Sequence, residues 1–270
     1  MEYETIILKK EGHIARLTLN RPARLNAITM QLIAEAQDAI KDVEADDNMR
    51  VLIVTGAGRA FCAGGDFRGD PNTPGAIAVD TDPSPAKYAQ WVRSYTRGIP
   101  LALQNLHCPT IAMINGVATG AGFSITQACD IRIGVESARF SVAWTTRGLV
   151  PAFGDTWLLP RIVGTGRAAE LILTARFMDA KEASDIGFLN KLVPADKLEE
   201  ETMALAEQIV KGPPLALRLS KFNLYKGFEV DFDSALGLLA HTQSELFVSD
   251  DFKESTRAFQ EKRQPVFKGH

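Results

Sequence analysis

The chain has 270 residues, 46% hydrophobic and 23% charged, with a formal net charge of −3. That is the balance of a soluble globular protein, and it offers no basic field to attract nucleic acid or an anionic membrane, so neither is an expected partner. No apolar run approaches the ~18 residues of a membrane span, and the opening "MEYETIILKKEG" lacks the basic and apolar regions of a signal peptide, so a cytoplasmic location is expected.

Ile6 to Lys10 and Ile14 to Leu19 alternate apolar and polar residues on each side of Glu11-Gly12, which predicts a hairpin. Leu32, Ala36, Ala39 and Val43 follow at helical spacing behind Thr29, the predicted N-cap. "VLIVTG" (51–56), "TIAMING" (110–116) and "DIRIGVE" (130–136) are short apolar runs, each closed by a turn or a polar change. With helical stretches at about 86–106 and 120–128 between them, they predict parallel strands buried on both faces, joined by right-handed crossovers. The segment 68–87, "RGDPNTPGAIAVDTDPSPAK", is rich in Pro, Gly and Asp and predicts an irregular excursion, either a lid or a disordered insert. From Ala195 the texture changes to helical patterns at 196–211, 213–226, 231–248 and 251–262. The expected organisation is an α/β core over 1–195 followed by a helical subdomain over 196–270.

Cys62, Cys108 and Cys129 form no C-x-x-C pair, and His13, His107, His241 and His270 are scattered, which argues against a disulfide framework or a metal site. Two glycine-rich turns follow two of the predicted strands, "TGAGRAFCAGGDF" (55–67) and "NGVATGAGF" (115–123). A dinucleotide fingerprint fails on spacing because Phe61 and Ile125 stand where its third glycine is required, and no Gly-Lys-Ser/Thr follows to make a phosphate loop. The remaining readings are close packing of helix on strand, or a backbone that approaches a ligand at 63–65 and 120–122. In the second case one amide from each turn, aided by the dipole of the helix at 120–128, holds a developing oxyanion.

"RPARLNAI" (21–28), "AFCAGGDF" (60–67), "INGVATGAGFSITQACDIRI" (114–133), "FSVAWTTRGLVPAFGDTWLLPRIVG" (140–164) and "FQEKRQPVFK" (259–268) resemble, in order and over nearly the whole chain, the successive signatures of the crotonase superfamily, the enoyl-CoA hydratase/isomerase family. The resemblance implies a spiral of ββα units, a helical C-terminal trimerisation region, and an acyl-CoA thioester as substrate with no further cofactor. Trimers or dimers of trimers, hence a homotrimer or hexamer, are implied as well. Matched by position, the two oxyanion amides fall on Ala63 and Ala121. Arg24, Leu25, Asn26 and Ala27, with Ala63, Gly64, Gly65, Asp66 and Phe67, are implied to line the CoA and acyl channel. Phe259 and Lys262 match positions that contact CoA from a neighbouring subunit, the lysine at a phosphate.

The departures bear on the reaction. The two glutamates with which the family's hydratases position water match Ser124 and Trp144 here, so the resemblance is to an atypical member. The aspartate of the related isomerases and the nucleophile of aryl-CoA dehalogenases both match Ala152, although Ala143-Trp144 is similar to the dehalogenase "A-W". Asp155 stands where glycine is frequent and admits two readings, the N-cap of the following helix or the missing acid/base. Asp66 is expected to order its own loop by side-chain to backbone bonds. Ser124 is able to orient a water but is too weak an acid to act alone. Trp144 is expected to shape an apolar acyl pocket, and Cys62 has no base near it in sequence. The reading that results is an acyl-CoA enzyme of the hydratase/isomerase type that stabilises a thioester enolate. The alternatives are a hydrolase of C–C or C–halogen bonds or a non-catalytic acyl-CoA binder, and Asp70, Asp80 and Asp82 of the 68–87 loop stay open as sources of the acid.

Overall fold

The computed structural model describes residues 3–66, 92–93 and 96–270. The expected hairpin forms: β1 (Ile6–Glu11) pairs antiparallel with β2 (Ile14–Leu19). Thr29 caps α1 (Met30–Glu44) by accepting from Leu32 N, as its place ahead of the apolar stripe predicts. The three apolar runs are β3 (Val51–Gly56), β5 (Thr110–Ile114) and β7 (Ile131–Val135), parallel to one another, with β3 and β5 buried throughout.

Each of these strands turns a corner and contributes a second, shorter strand to another sheet. β4 (Ala60–Cys62), β6 (Val117–Thr119) and β8 (Arg139–Ser141) follow β3, β5 and β7 in turn. The long sheet has the order β1-β2-β3-β5-β7-β10, ending in β10 (Lys191–Val193). The short sheet has the order β4-β6-β8-β9, ending in β9 (Met178–Asp179). Helices fill the crossovers: α2 (Ile99–Asn105), α3 (Ala121–Ala128), α4 (Asp155–Val163), α5 (Thr165–Thr174) and α6 (Ala180–Asp185). This is the expected α/β spiral of ββα units. Of the helix predicted at 86–106, Ile99–Asn105 is the part described as one regular element, and Phe67 and the 68–87 loop with Asp70, Asp80 and Asp82 lie outside the described residues.

Four helices follow: α7 (Leu198–Val210), α8 (Pro214–Lys226), α9 (Phe232–Val248) and α10 (Asp250–Glu261). α7 lies across β3, β5 and β7 and buries Leu198, Thr202 and Ala206. α8 is bolted down by a buried charge. Lys221 Nζ lies 2.9 Å from Asp130 Oδ2 and donates to the carbonyls of Leu103 and Cys108, while Tyr225 OH donates to Asp130 Oδ1 at 2.6 Å. α9 and α10 instead leave Phe232, Phe247, Val248 and Phe259 exposed.

Cys62, Cys108 and Cys129 are free and buried, and burial pushes each thiol up to about 12, which leaves them protonated and inert. Among the described residues no helix is long and apolar enough to cross a membrane.

The crossing of α3 over β4 is packed too closely for a side chain. A Cβ on Gly122 falls 2.3 Å from the Cys62 carbonyl oxygen and 2.6 Å from Cys62 Cβ. Gly122→Ala is therefore expected to lower the urea midpoint by an amount equivalent to about 1–3 kcal/mol. Gly166→Ala in α5, where a Cβ meets nothing within 4 Å, is the control and is expected to leave stability unchanged or raise it by up to about 1 kcal/mol.

Candidate active site

Three stretches far apart in sequence meet at the end of the short sheet. Leu25 and Asn26 both take left-handed backbone conformations, φ 49° and 57°, after the short 3-10 helix Pro22–Arg24. That turn presents the Leu25 carbonyl to Ala63 N at 2.9 Å and buries the Asn26 side chain, whose amide donates to the carbonyls of Ala57, Ala60 and Phe61. Thr119 Oγ1 donates to the Ala63 carbonyl at 2.9 Å from the other side. Ala63 is thus a backbone strut between the first stretch and the third. Its N–H is engaged, and the expectation that it supplies an oxyanion donor is corrected.

The free amide of this turn is that of Gly65. Ile28 N donates to Gly64 O and Asp66 N donates to Ile28 O, a one-residue parallel bridge that turns the N–H of Gly65 to the opposite side. It bonds to no described residue. Gly64, at φ 89°, leaves no room for a side chain: a Cβ there falls 2.8 Å from the Thr119 carbonyl oxygen and 3.6 Å from Gly120 Cα. The two glycine turns are therefore in contact, backbone on backbone. Gly120, at φ 51°, is the N-cap of α3 and offers no side chain to the first helical amides, so the N–H of Ala121 is also without a partner among the described residues.

Asp155 is the first residue of α4, and Gly154, at φ 96°, holds the N-cap place, which corrects the capping reading. The Asp155 carboxylate turns instead toward α3, fully buried. Ser124 Oγ lies 2.7 Å from its Oδ2, and Gln127 Nε2 donates to its Oδ1 at 2.9 Å. Ser124 Oγ also lies 3.0 Å from the Gly120 carbonyl oxygen. Among the described residues no cation answers the charge: burial pushes the carboxyl up to about 6, against the two side-chain hydrogen bonds that pull it down.

Asp66 is corrected too. Its carboxylate accepts from Arg21 Nη2 at 2.9 Å, and Arg21 Nη1 donates to the Ala27 carbonyl, so this ion pair ties the 21–28 segment to the 55–67 turn. Arg24 is exposed at the end of its 3-10 helix. Trp144 follows Ala143, a non-glycine residue at φ 54°, and packs on Phe153 with ring centroids 6.0 Å apart. Its indole Nε1 is buried with no partner among the described residues. Phe259 stands exposed on α10, and Lys262 is that helix's left-handed C-cap, at φ 53°.

A cavity of about 660 Å³ between α2, α4 and α8 touches Phe153, Gly154, Trp157 and Tyr225 but neither Gly65 nor Ala121, so it lies behind the turns rather than at them. Residues that the sequence reading passed over are Arg21, Asn115 and Gln127. Asn115 Nδ2 donates to the carbonyls of Gly56 and Gly58 at 2.8 Å, bracing the second turn. Gln127 carries a readable signal: with Ser124 it is a polar pair at i, i+3 in a short helix whose other residues, Thr126 apart, are apolar or small.

The profile of enoyl-CoA hydratase/isomerase proteins matches residues 9–270. The short-chain-enoyl-CoA hydratase of Clostridium acetobutylicum is 36% identical over 270 residues, which covers 98% of this chain and 97% of that protein. The 1,2-epoxyphenylacetyl-CoA isomerase of Escherichia coli is 35% identical over 266 residues, 98% of this chain and 99% of that one. The crystal structure of an enoyl-CoA hydratase from Bacillus anthracis superposes with a TM-score of 0.90 at 33% identity, covering 99% of this chain and 100% of that one.

The uncompensated carboxylate has a measurable cost. Between its ordinary value of 3.8 and about 6, folded protein holds a proton on Asp155 that unfolded protein has released. Stability therefore falls as pH rises through that window, and the penalty is fully present above it. Asp155→Asn is expected to raise stability at pH 7.5 by up to about 3 kcal/mol, at roughly 1.36 kcal/mol per pH unit. The advantage shrinks at pH 5, as urea midpoints at the two pH values will show.

Proposed function

From the premise that this chain belongs to the enoyl-CoA hydratase/isomerase family, we propose that it binds an unsaturated acyl-CoA with the thioester oxygen between the N–H groups of Gly65 and Ala121, and shifts the double bond through an enolate. The observation that carries this reading is the pair of unpartnered amides on two turns locked in contact. Donors fixed in place before the charge develops need no reorganisation, and one of them is worth about 2.7–4 kcal/mol in the transition state. Both come from rigid backbone, one of them at a helix N-terminus whose dipole favours the oxyanion.

Asp155 is the proton carrier in this reading. Its raised carboxyl suits a base that must take up a proton and give it back near neutral pH. Buried behind Ser124, it exchanges that proton with the acyl chain by way of the Ser124 hydroxyl, 2.7 Å away. Isomerisation needs one such group, whereas hydration needs a second to hold the water. The matched glutamate positions carry Ser124 and Trp144, so hydration is the minor activity. Trp144, packed on Phe153, narrows the acyl pocket and favours a flat or cyclic acyl group. Arg24, Leu25 and Ala27 flank the CoA arm. Phe259 and Lys262 meet CoA from a neighbouring subunit of a homotrimer or hexamer, which accounts for apolar side chains left exposed on α9 and α10.

Asp155→Asn tests the assignment. With a 3-enoyl-CoA substrate, turnover is expected to fall by about 10²–10⁴-fold while the protein still binds the thioester. Parent-like turnover by that variant removes Asp155 from the mechanism. The parent itself is expected to isomerise 3-enoyl-CoA faster than it hydrates crotonyl-CoA; the reverse order would make it a hydratase.

A further inference from the structure

The Ser124 hydroxyl has one proton and two acceptors within reach, Asp155 Oδ2 at 2.7 Å and the Gly120 carbonyl oxygen at 3.0 Å. Which acceptor receives it depends on the charge of Asp155. When the carboxylate is ionised it attracts the proton, because a charged acceptor makes the stronger bond. When Asp155 is protonated on Oδ2 it becomes the donor, Ser124 Oγ accepts, and the serine proton has only the Gly120 carbonyl left. Both arrangements are fully hydrogen-bonded on this side, and they interconvert without moving a heavy atom.

The Gly120 carbonyl belongs to the same peptide group as the N–H of Ala121. A hydrogen bond donated to that oxygen draws electron density along the amide and makes its N–H a stronger donor, the cooperativity of hydrogen-bond chains. We infer that Ser124 couples the carboxyl of Asp155 to the Ala121 amide, so that protonation of the first strengthens the second as an oxyanion donor. The inference rests on the roles given above to Asp155 and Ala121. It adds timing: the proton leaves the acyl carbon, Asp155 takes it up through Ser124, and the Ala121 donor is strongest just when the electron pair from the broken C–H bond has reached the thioester oxygen. Return of the proton at the other end of the allylic system reverses both changes, so atoms and charge balance over the cycle.

The surroundings leave Asp155 free to respond. α3 carries no charged residue. On α5, Arg167 and Glu170 are exposed and lie 3.6 Å from one another, and Arg161 of α4 itself is exposed and bonded to the Trp157 carbonyl. Gln127 Nε2 fixes Oδ1 as an acceptor, which leaves Oδ2 as the oxygen that gains and loses the proton. A serine that merely bonds back to the carbonyl four residues earlier, a common habit in helices, gives no such coupling.

The probe is butyryl-CoA labelled with ¹³C at the carbonyl, which has no double bond to move, observed bound to the full-length protein by isotope-edited infrared spectroscopy at pH 5 and pH 8. The carbonyl band is expected at lower frequency at pH 5, with a single titration between. In Asp155→Asn, Gln127 holds the new side chain with its carbonyl oxygen on Nε2 and its NH₂ toward Ser124, so the band is expected at the low-pH position at both pH values. In Ser124→Ala the pH dependence is expected to disappear, and kcat for isomerisation to fall with KM nearly unchanged. A band displaced from that of free butyryl-CoA, yet the same at both pH values and in Asp155→Asn, overturns the coupling and leaves the oxyanion site standing. A band not displaced at all overturns the oxyanion site and the coupling with it.

Discussion

The contact of two glycine turns is the constraint from which the rest of the site follows. Gly64 lies against the Thr119–Gly120 backbone, and Gly122 lies against the backbone of Cys62, at separations that admit no Cβ. Backbone meeting backbone at that distance does two things at once. It brings the free N–H of Gly65 beside the start of α3, and it makes their relative position a property of main-chain geometry rather than of side-chain rotamers. Asn26, Asn115 and Thr119 then spend their polar groups on carbonyls of the second stretch, from Gly56 to Ala63, so that the turn does not relax. A donor pair held this way is organised before any ligand arrives, which is what makes electrostatic stabilisation effective.

The buried and partly buried aspartates divide by what answers them. Asp66 faces the Arg21 guanidinium and Asp130 faces the Lys221 ammonium, and each pair ties two distant segments together. Asp251 accepts the amides of Lys268 and Gly269 and pins the end of the chain. Asp155, fully buried, has among the described residues only neutral side-chain donors, a hydroxyl and an amide. A carboxylate in that setting sits high in energy when charged, and a fold that keeps it does so at some expense in stability. The expense is intelligible if the group must change its charge during a reaction, and it has no structural benefit that a neutral asparagine would lack.

Much of the frame was legible in the sequence because its signals are local. Alternation gave the β1–β2 hairpin, unbroken apolar runs gave β3, β5 and β7, and the helix predicted at 231–248 matches Phe232–Val248 almost residue for residue. The second sheet escaped because its strands are two or three residues long, below the length at which any period is visible. That the Ala63 amide is engaged was not legible because which of the neighbouring amides stays unbonded is set by contacts to Leu25 and Ile28, thirty-odd residues earlier, and no spacing within the turn reveals it. Asp155 looked like a cap because aspartate ahead of a helix usually is one. Here Gly154 takes that place and frees the carboxylate for partners that only the packing of α4 on α3 supplies.

The same division explains how one backbone arrangement serves different chemistry. Polarising a thioester needs two amides, which any sequence small enough to fold into these turns provides. Deciding where the proton goes needs side chains, and in the function proposed above those stand on α3, α4 and the turn after β8, at Ser124, Gln127, Asp155 and Trp144, none of which makes the turns. In this chain, residue 124 has a hydroxyl and residue 155 a carboxylate, 2.7 Å apart, and the function proposed above takes this pair as its proton site. Binding of the acyl-CoA head is thereby set by the fold, and the reaction by a few side chains that the fold tolerates in many combinations.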